Sequence, residues 1–231
     1  MPRVEAVVGY HLVQEGAAVY GQPFEAHGNL SAPGVSGSAM DTPVIRGSAI
    51  KGRLRATAYR LTAALGLPAC TDPATCALGE RCSVCTIFGN RQIASPFVYT
   101  DAAPPPDVAR LMNPVTGWRT FREQRVRVAV EGTTGTALAR TRVGTEAVPE
   151  GMVYLGSIRG WIPAPSQPDV LPLSLLLLIA ALRATNTIGG MRSTGLGMCT
   201  ISIDSVQLGD RTLPGDEALD QLARLGHGTE A

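Results

Sequence analysis

Polar and apolar residues alternate at the start of the chain. From Arg3 to Val13, Val4, Ala6, Val8, Tyr10 and Leu12 share one face at period two, the spacing of a half-buried strand. The rhythm then stops. Gln14 to Met40 is rich in Gly, Ser, Ala and Pro and predicts a long loop, a kind of segment that usually serves function or moves. His27 lies in it, and loops often carry binding residues. From Ser48 the spacing changes to three and four. Ile50, Leu54, Ala58, Leu61 and Leu65 mark the apolar face of a helix, with Ser48 its expected cap and Gly66 and Pro68 its end. Lys51 and Arg55 share a second face; Arg53 and Arg60 share a third. Gln92–Tyr99 and Gly151–Ile162 read as strands, and Asp101–Pro114 as irregular. Val170–Ala184 is apolar nearly all round, which predicts a buried helix, and Met198–Leu208 reads as a last strand. A tail over residues 209–231 carries one short helix, Asp216–Leu225.

The order strand, helix, strands, helix, strand predicts an α+β fold with a ferredoxin-like or RRM-like core over residues 1–208. Composition supports a real core: of 231 residues, 45% are hydrophobic and only 17% charged. The net charge of +1 is uninformative, but its distribution is not. From Asp204 onward six acids face two bases, so residues 1–203 carry about +5. The longest apolar run, Leu175–Leu182, is far below the ~20 residues needed to span a bilayer. With no N-terminal signal pattern, a cytoplasmic location and no membrane partner are expected.

Candidate chemistry falls in four places. Lys51 is the only lysine, just inside a helix start, where an ammonium beside free backbone N–H groups suits a phosphate; a solvated surface lysine is the alternative. Gly117–Thr145 holds Arg119, Arg122, Arg125, Arg127, Arg140 and Arg142 against Glu123 and Glu131. The stretch EGTTGTA divides it into two arms, so it reads as a hairpin or projecting loop whose arginines favour phosphate contact over a merely solvated face. Trp118 and Phe121 can stack on bases or fill a local core. IGGMRSTGLGM places Gly189, Gly190, Gly195 and Gly197 where backbone can approach a ligand, with Arg192, Ser193 and Thr194 as donors. It matches neither the Walker pattern nor the dinucleotide fingerprint. Finally, Cys70, Cys76, Cys82 and Cys85 crowd into CTDPATCALGERCSVC. Four thiolates complete a tetrahedral zinc shell with no open position, so a structural Zn²⁺ in an insertion over about residues 66–90 is expected. Buried free thiols fit such a polar loop poorly. Cys199 alternates with Ile201 and Ile203 and reads as core.

Together these segments resemble the RAMP superfamily, the RNA-binding subunits of CRISPR effectors. GSAIKGRLR is similar to the family element PGSSLKGxLR, IGGMRSTGLGM to its Gly-rich loop, and CSVCTIFGN to the LFG segment after the first helix. AMDTPVI resembles the xxDxPVI stretch of the type III backbone subunit, and the Cys-rich insertion resembles the zinc-binding domains of types III-D and III-E. Two departures stand out: Arg46 leads directly into Gly47, and Thr194 replaces the second arginine of the Gly-rich loop. The resemblance implies a subunit that binds guide RNA (crRNA) through Arg46, Ser48, Lys51, Arg53, Arg55, Arg122, Arg125, Arg127, Gly189, Gly190, Arg192 and Ser193. It implies a thumb over about residues 117–145, neighbouring effector subunits with further copies of itself, and cleavage of complementary target RNA by Asp41 with Mg²⁺ or Mn²⁺. A non-catalytic scaffold subunit and a stand-alone zinc-stabilised RNA-binding module are the alternative readings.

Overall fold

The computed structural model describes residues 2–20, 43–76, 81–111, 123–138, 143–165, 167 and 170–227. In chain order its elements are β1 (Arg3–Gln14), α1 (Gly47–Ala64), α2 (Cys85–Phe88), β2 (Phe97–Tyr99), α3 (Pro106–Leu111), β3 (Glu123–Arg127), β4 (Val143–Ala147), β5 (Val153–Pro163), α4 (Leu173–Arg183), β6 (Cys199–Leu208), β7 (Arg211–Pro214) and α5 (Gly215–His227). Five strands form one sheet in the order β2-β5-β1-β6-β7, and every neighbouring pair is antiparallel. β3 and β4 form a separate two-stranded ladder. The chain is thus mixed α+β with an antiparallel sheet.

β1 is the central strand. Its alternate residues Ala6, Val8, Tyr10 and Leu12 are buried, as the period-two pattern requires. Above them lie α1, which turns Ile50, Leu54 and Ala58 inward, and α4. Residues Leu175 to Leu182 of α4 are all buried. A helix apolar all round needs cover on every side, and α1, α5, α2 and β6 supply it.

Three local differences from the sequence reading have physical causes. Ser48 does not cap α1. The helix starts at Gly47 with Arg46 in the cap position and no side-chain cap bond, and Ser48 is exposed. The capping acceptor comes from elsewhere: Asp101 Oδ1 accepts the Gly47 N–H at 2.7 Å. Only Phe97–Tyr99 of the expected strand Gln92–Tyr99 pairs. Before it, Asn90 Oδ1 accepts from the N–H groups of Gln92 and Ile93, and Asn90 N–H donates to Ile93 O, which ties a turn that competes with extended pairing. The tail is also more integrated than expected, because β7 adds an edge to the sheet beside β6.

The remote cap is testable. Asp101→Ala should lower stability by about 0.5–2 kcal/mol, the usual cost of a lost N-cap acceptor. Urea unfolding checks it, and Asp101→Asn should retain most of the effect.

Candidate nucleic-acid interface and metal centre

α1 distributes its cations to two sides. Arg53 turns toward the Gly-rich loop. Its Nε donates to Thr187 O at 2.8 Å and its Nη2 to Thr187 Oγ1 at 2.5 Å. Burial, then the positive charges of Arg192 and Arg60, lower its pKa, so the helix start and the loop bring like charges together. Such an arrangement favours an anion between them. Arg53 is half-buried and already bonded, whereas Arg192 and Ser193 are exposed.

The loop's backbone is specialised. Gly197 has φ +80, and a Cβ there would lie 2.0 Å from Ile188 O, so no side chain fits. Gly190 N–H donates to Val19 O at 2.9 Å, which commits that donor inside the protein. Gly189, with φ +95, packs its backbone against Val19 O as well. Between them Met191 adopts a left-handed φ of 56, a conformation that non-glycine residues adopt at a cost. The turn Arg192–Thr194 that follows holds two of the loop's exposed donors.

Lys51 and Arg55 face the other way, toward the Cys-rich insertion. Lys51 Nζ sits 5.6 Å from the centre of the Tyr99 ring, within cation–π range. Burial, then Arg55, lowers its pKa. Arg55 Nη2 reaches Cys85 Sγ at 3.7 Å, and its guanidinium lies 6.0 Å from the Tyr59 ring. Arg46 is exposed at the cap.

The four cysteines converge. The sulfurs of Cys70, Cys76, Cys82 and Cys85 all lie within 4.8 Å of one another, and none is in a disulfide. Zinc–sulfur bonds of about 2.3 Å in a tetrahedron set sulfurs about 3.8 Å apart, so the cluster fits a four-thiolate zinc ion. The Cys70–Cys85 sulfur separation is 3.5 Å. Surrounding donors suit a negative centre. The N–H groups of Cys70 and Cys85 both donate to Cys82 Sγ at 3.4 Å, and the Tyr59 hydroxyl lies 3.2 Å from Cys70 Sγ. Burial alone pushes the Cys82 thiol up, but those backbone donors bring it down to about 7. Cys85 is pushed up to about 12 by burial and the thiols of Cys70 and Cys82. Bound to all four thiolates, zinc would fix the fold of the insertion. Cys199 stays apart, buried in the core.

Among the basic hairpin residues, Arg125 pairs with Glu123 through its Nε at 2.7 Å, on the exposed ladder of β3 and β4. Arg125 and Val126 lie across a cavity of about 380 Å³ from Met191, Thr194 and Leu196, so the hairpin borders the Gly-rich loop. The backbone of Arg127 pairs with Val143, while its side chain lies outside the described residues. Asp41, His27, Trp118, Arg119, Phe121, Arg122, Arg140 and Arg142 also lie outside them. No described helix is long and apolar enough to cross a membrane.

Sequence reasoning missed Asp101, Asn90 and Arg91. The Gly89-Asn90 pair is a turn signature that could have flagged the second, whose bonds to Gln92 and Ile93 are local, whereas the places of Asp101 and Arg91 are set by tertiary packing.

A model of the RAMP superfamily matches residues 21–200, and the chain belongs to that superfamily. Its members bind RNA and work in CRISPR complexes, which suggests a CRISPR-associated RNA-binding protein. No curated protein matches the sequence.

The metal reading gives a direct expectation. Natively purified protein should contain about one zinc per chain, released by strong chelators and as falling pH lets protons compete for the thiolates. Elemental analysis checks it, and metal-free native protein would refute it.

Proposed function

We propose that this protein is the backbone subunit of a type III CRISPR effector, binding guide RNA and cleaving complementary target RNA at regular intervals. The observation that carries the reading is the meeting of the α1 start with the Gly-rich loop through Arg53 and Thr187, next to exposed Arg192. Arg46 and Ser48 are exposed at the helix start, and Lys51 adds a charge on the other side of α1, so an RNA backbone crossing the helix can be tracked by charge.

Membership in the RAMP superfamily supports this reading. So does the strand order β2-β5-β1-β6 with helical crossovers, which we read as a ferredoxin-like core. The hairpin of β3 and β4 is the proposed thumb, with Arg122, Arg125 and Arg127 as its RNA contacts. The four-cysteine insertion favours a III-D- or III-E-like branch. RNA carries its own nucleophile, the 2′-hydroxyl, so cleavage needs in-line geometry and charge stabilisation rather than an elaborate site. In this reading Asp41 supplies the carboxylate that recruits Mg²⁺ or Mn²⁺.

Two measurements test the proposal. The complex purified from its host should carry a small RNA of defined length and cut a labelled complementary RNA at regular spacing. Asp41→Ala should abolish the cuts and keep target binding; undiminished cuts would place the chemistry elsewhere, and a protein free of RNA would sink the whole reading. Separately, Lys51→Ala should weaken guide binding and flatten the salt slope by about 0.7, one phosphate contact on a single strand. An unchanged slope would contradict a phosphate at Lys51.

A further inference from the structure

A groove of about 460 Å³ separates α1 from the Cys-rich insertion. Lys51 and Arg55 line one wall, and the loop from Gly89 to Ser95, with Asn90 and Arg91, lines another. Among the described residues three cations line the groove and no carboxylate does. α1 has no acid in its first turn either. Like charges lining one groove favour an anion within it. The volume lies within the range of small-ligand sites and suits a nucleotide unit.

The groove is also firmly built. Asn90 spends its Oδ1 on two backbone N–H groups and so fixes the loop that carries exposed Arg91. Ser95 Oγ donates to Ile87 O at 2.8 Å, tying the far end of that loop to α2. Arg55 Nε is buried and has no acceptor. Half-buried Ile93 adds apolar surface against which a ribose or a base can rest.

We propose that this groove is a second RNA subsite, in which one nucleotide of the strand crossing α1 sets its phosphate between Lys51 and Arg91. The inference rests on the RNA-binding reading above and extends it to the insertion. The Cys-rich segment then forms one wall of the RNA path in addition to bracing itself. The α1 wall reaches the cysteine cluster, since Arg55 touches Cys85 and Tyr59 touches Cys70.

Binding of a fluorescent single-stranded oligouridine to the zinc-loaded full chain, across a salt series, tests it. Arg91→Gln should weaken binding about 3- to 10-fold and reduce the salt slope by about 0.7, as loss of one phosphate contact requires. Arg91→Lys should restore both. Arg211→Gln, on β7 at the opposite edge of the sheet, should change neither. If wild type binds and Arg91→Gln matches it in affinity and slope, the subsite is wrong while the RNA reading stands. If wild type binds no RNA, both fall. Photocrosslinking with 4-thiouridine should label the 89–95 loop; labels confined to 189–197 would overturn the subsite.

Discussion

The position of α1 depends on one close approach. A Cβ on Gly47 would lie 2.1 Å from the carbonyl oxygen of Tyr99, so only glycine lets the helix begin against β2. From that contact the rest of the cationic surface follows. Ile50, Leu54 and Ala58 turn into the core, and Lys51 comes to rest over the Tyr99 ring. Tyr99 also stacks on Phe88, with centroids 5.9 Å apart. A three-residue strand thereby joins the helix, the sheet and the Cys-rich insertion at a single aromatic ring.

Stability and chemistry are supplied by different parts of the chain. The core side of the sheet and the eight consecutive buried residues of α4 carry the hydrophobic burden, each large side chain worth roughly 1.5–3 kcal/mol when fully buried. Before Val84 the insertion has little of this. Its turn Pro73–Thr75 buries nothing, and between Gly66 and Ser83 the only buried residues described are Cys76 and Cys82, whereas Val84, Cys85, Ile87 and Phe88 at its end join the core. A segment so poor in apolar burial needs another source of order, and four thiolates around one ion would provide it. Because Arg55 and Tyr59 of α1 reach Cys85 and Cys70, the cysteine cluster is tied directly to the helix.

Much of this was legible in the sequence where the cause is local. Period two revealed β1, the three-and-four spacing revealed α1, and the all-apolar run revealed α4, because each pattern is set by the element's own geometry. The four cysteines were readable as a metal set because thiolate chemistry needs no tertiary context. What stayed hidden depends on distant residues. Ser48 looked like a cap, yet Asp101 takes that role. Arg53 looked like a free cation, yet Thr187 holds it. Arg91 carried no signal of its own, since the groove exists only once the insertion folds back on α1.

The sheet's connectivity has a consequence for how the protein is made. Ala6, near the start of the first strand, pairs with Gly160 on one side and Leu208 on the other. The central strand therefore emerges from the ribosome long before either neighbour has been synthesised. Closing such long loops comes before any contact rewards it, so this topology folds slowly. Until β5 and β6 are translated, this half-apolar strand lacks both of its sheet neighbours, and unpaired strand edges of that kind are prone to aggregate.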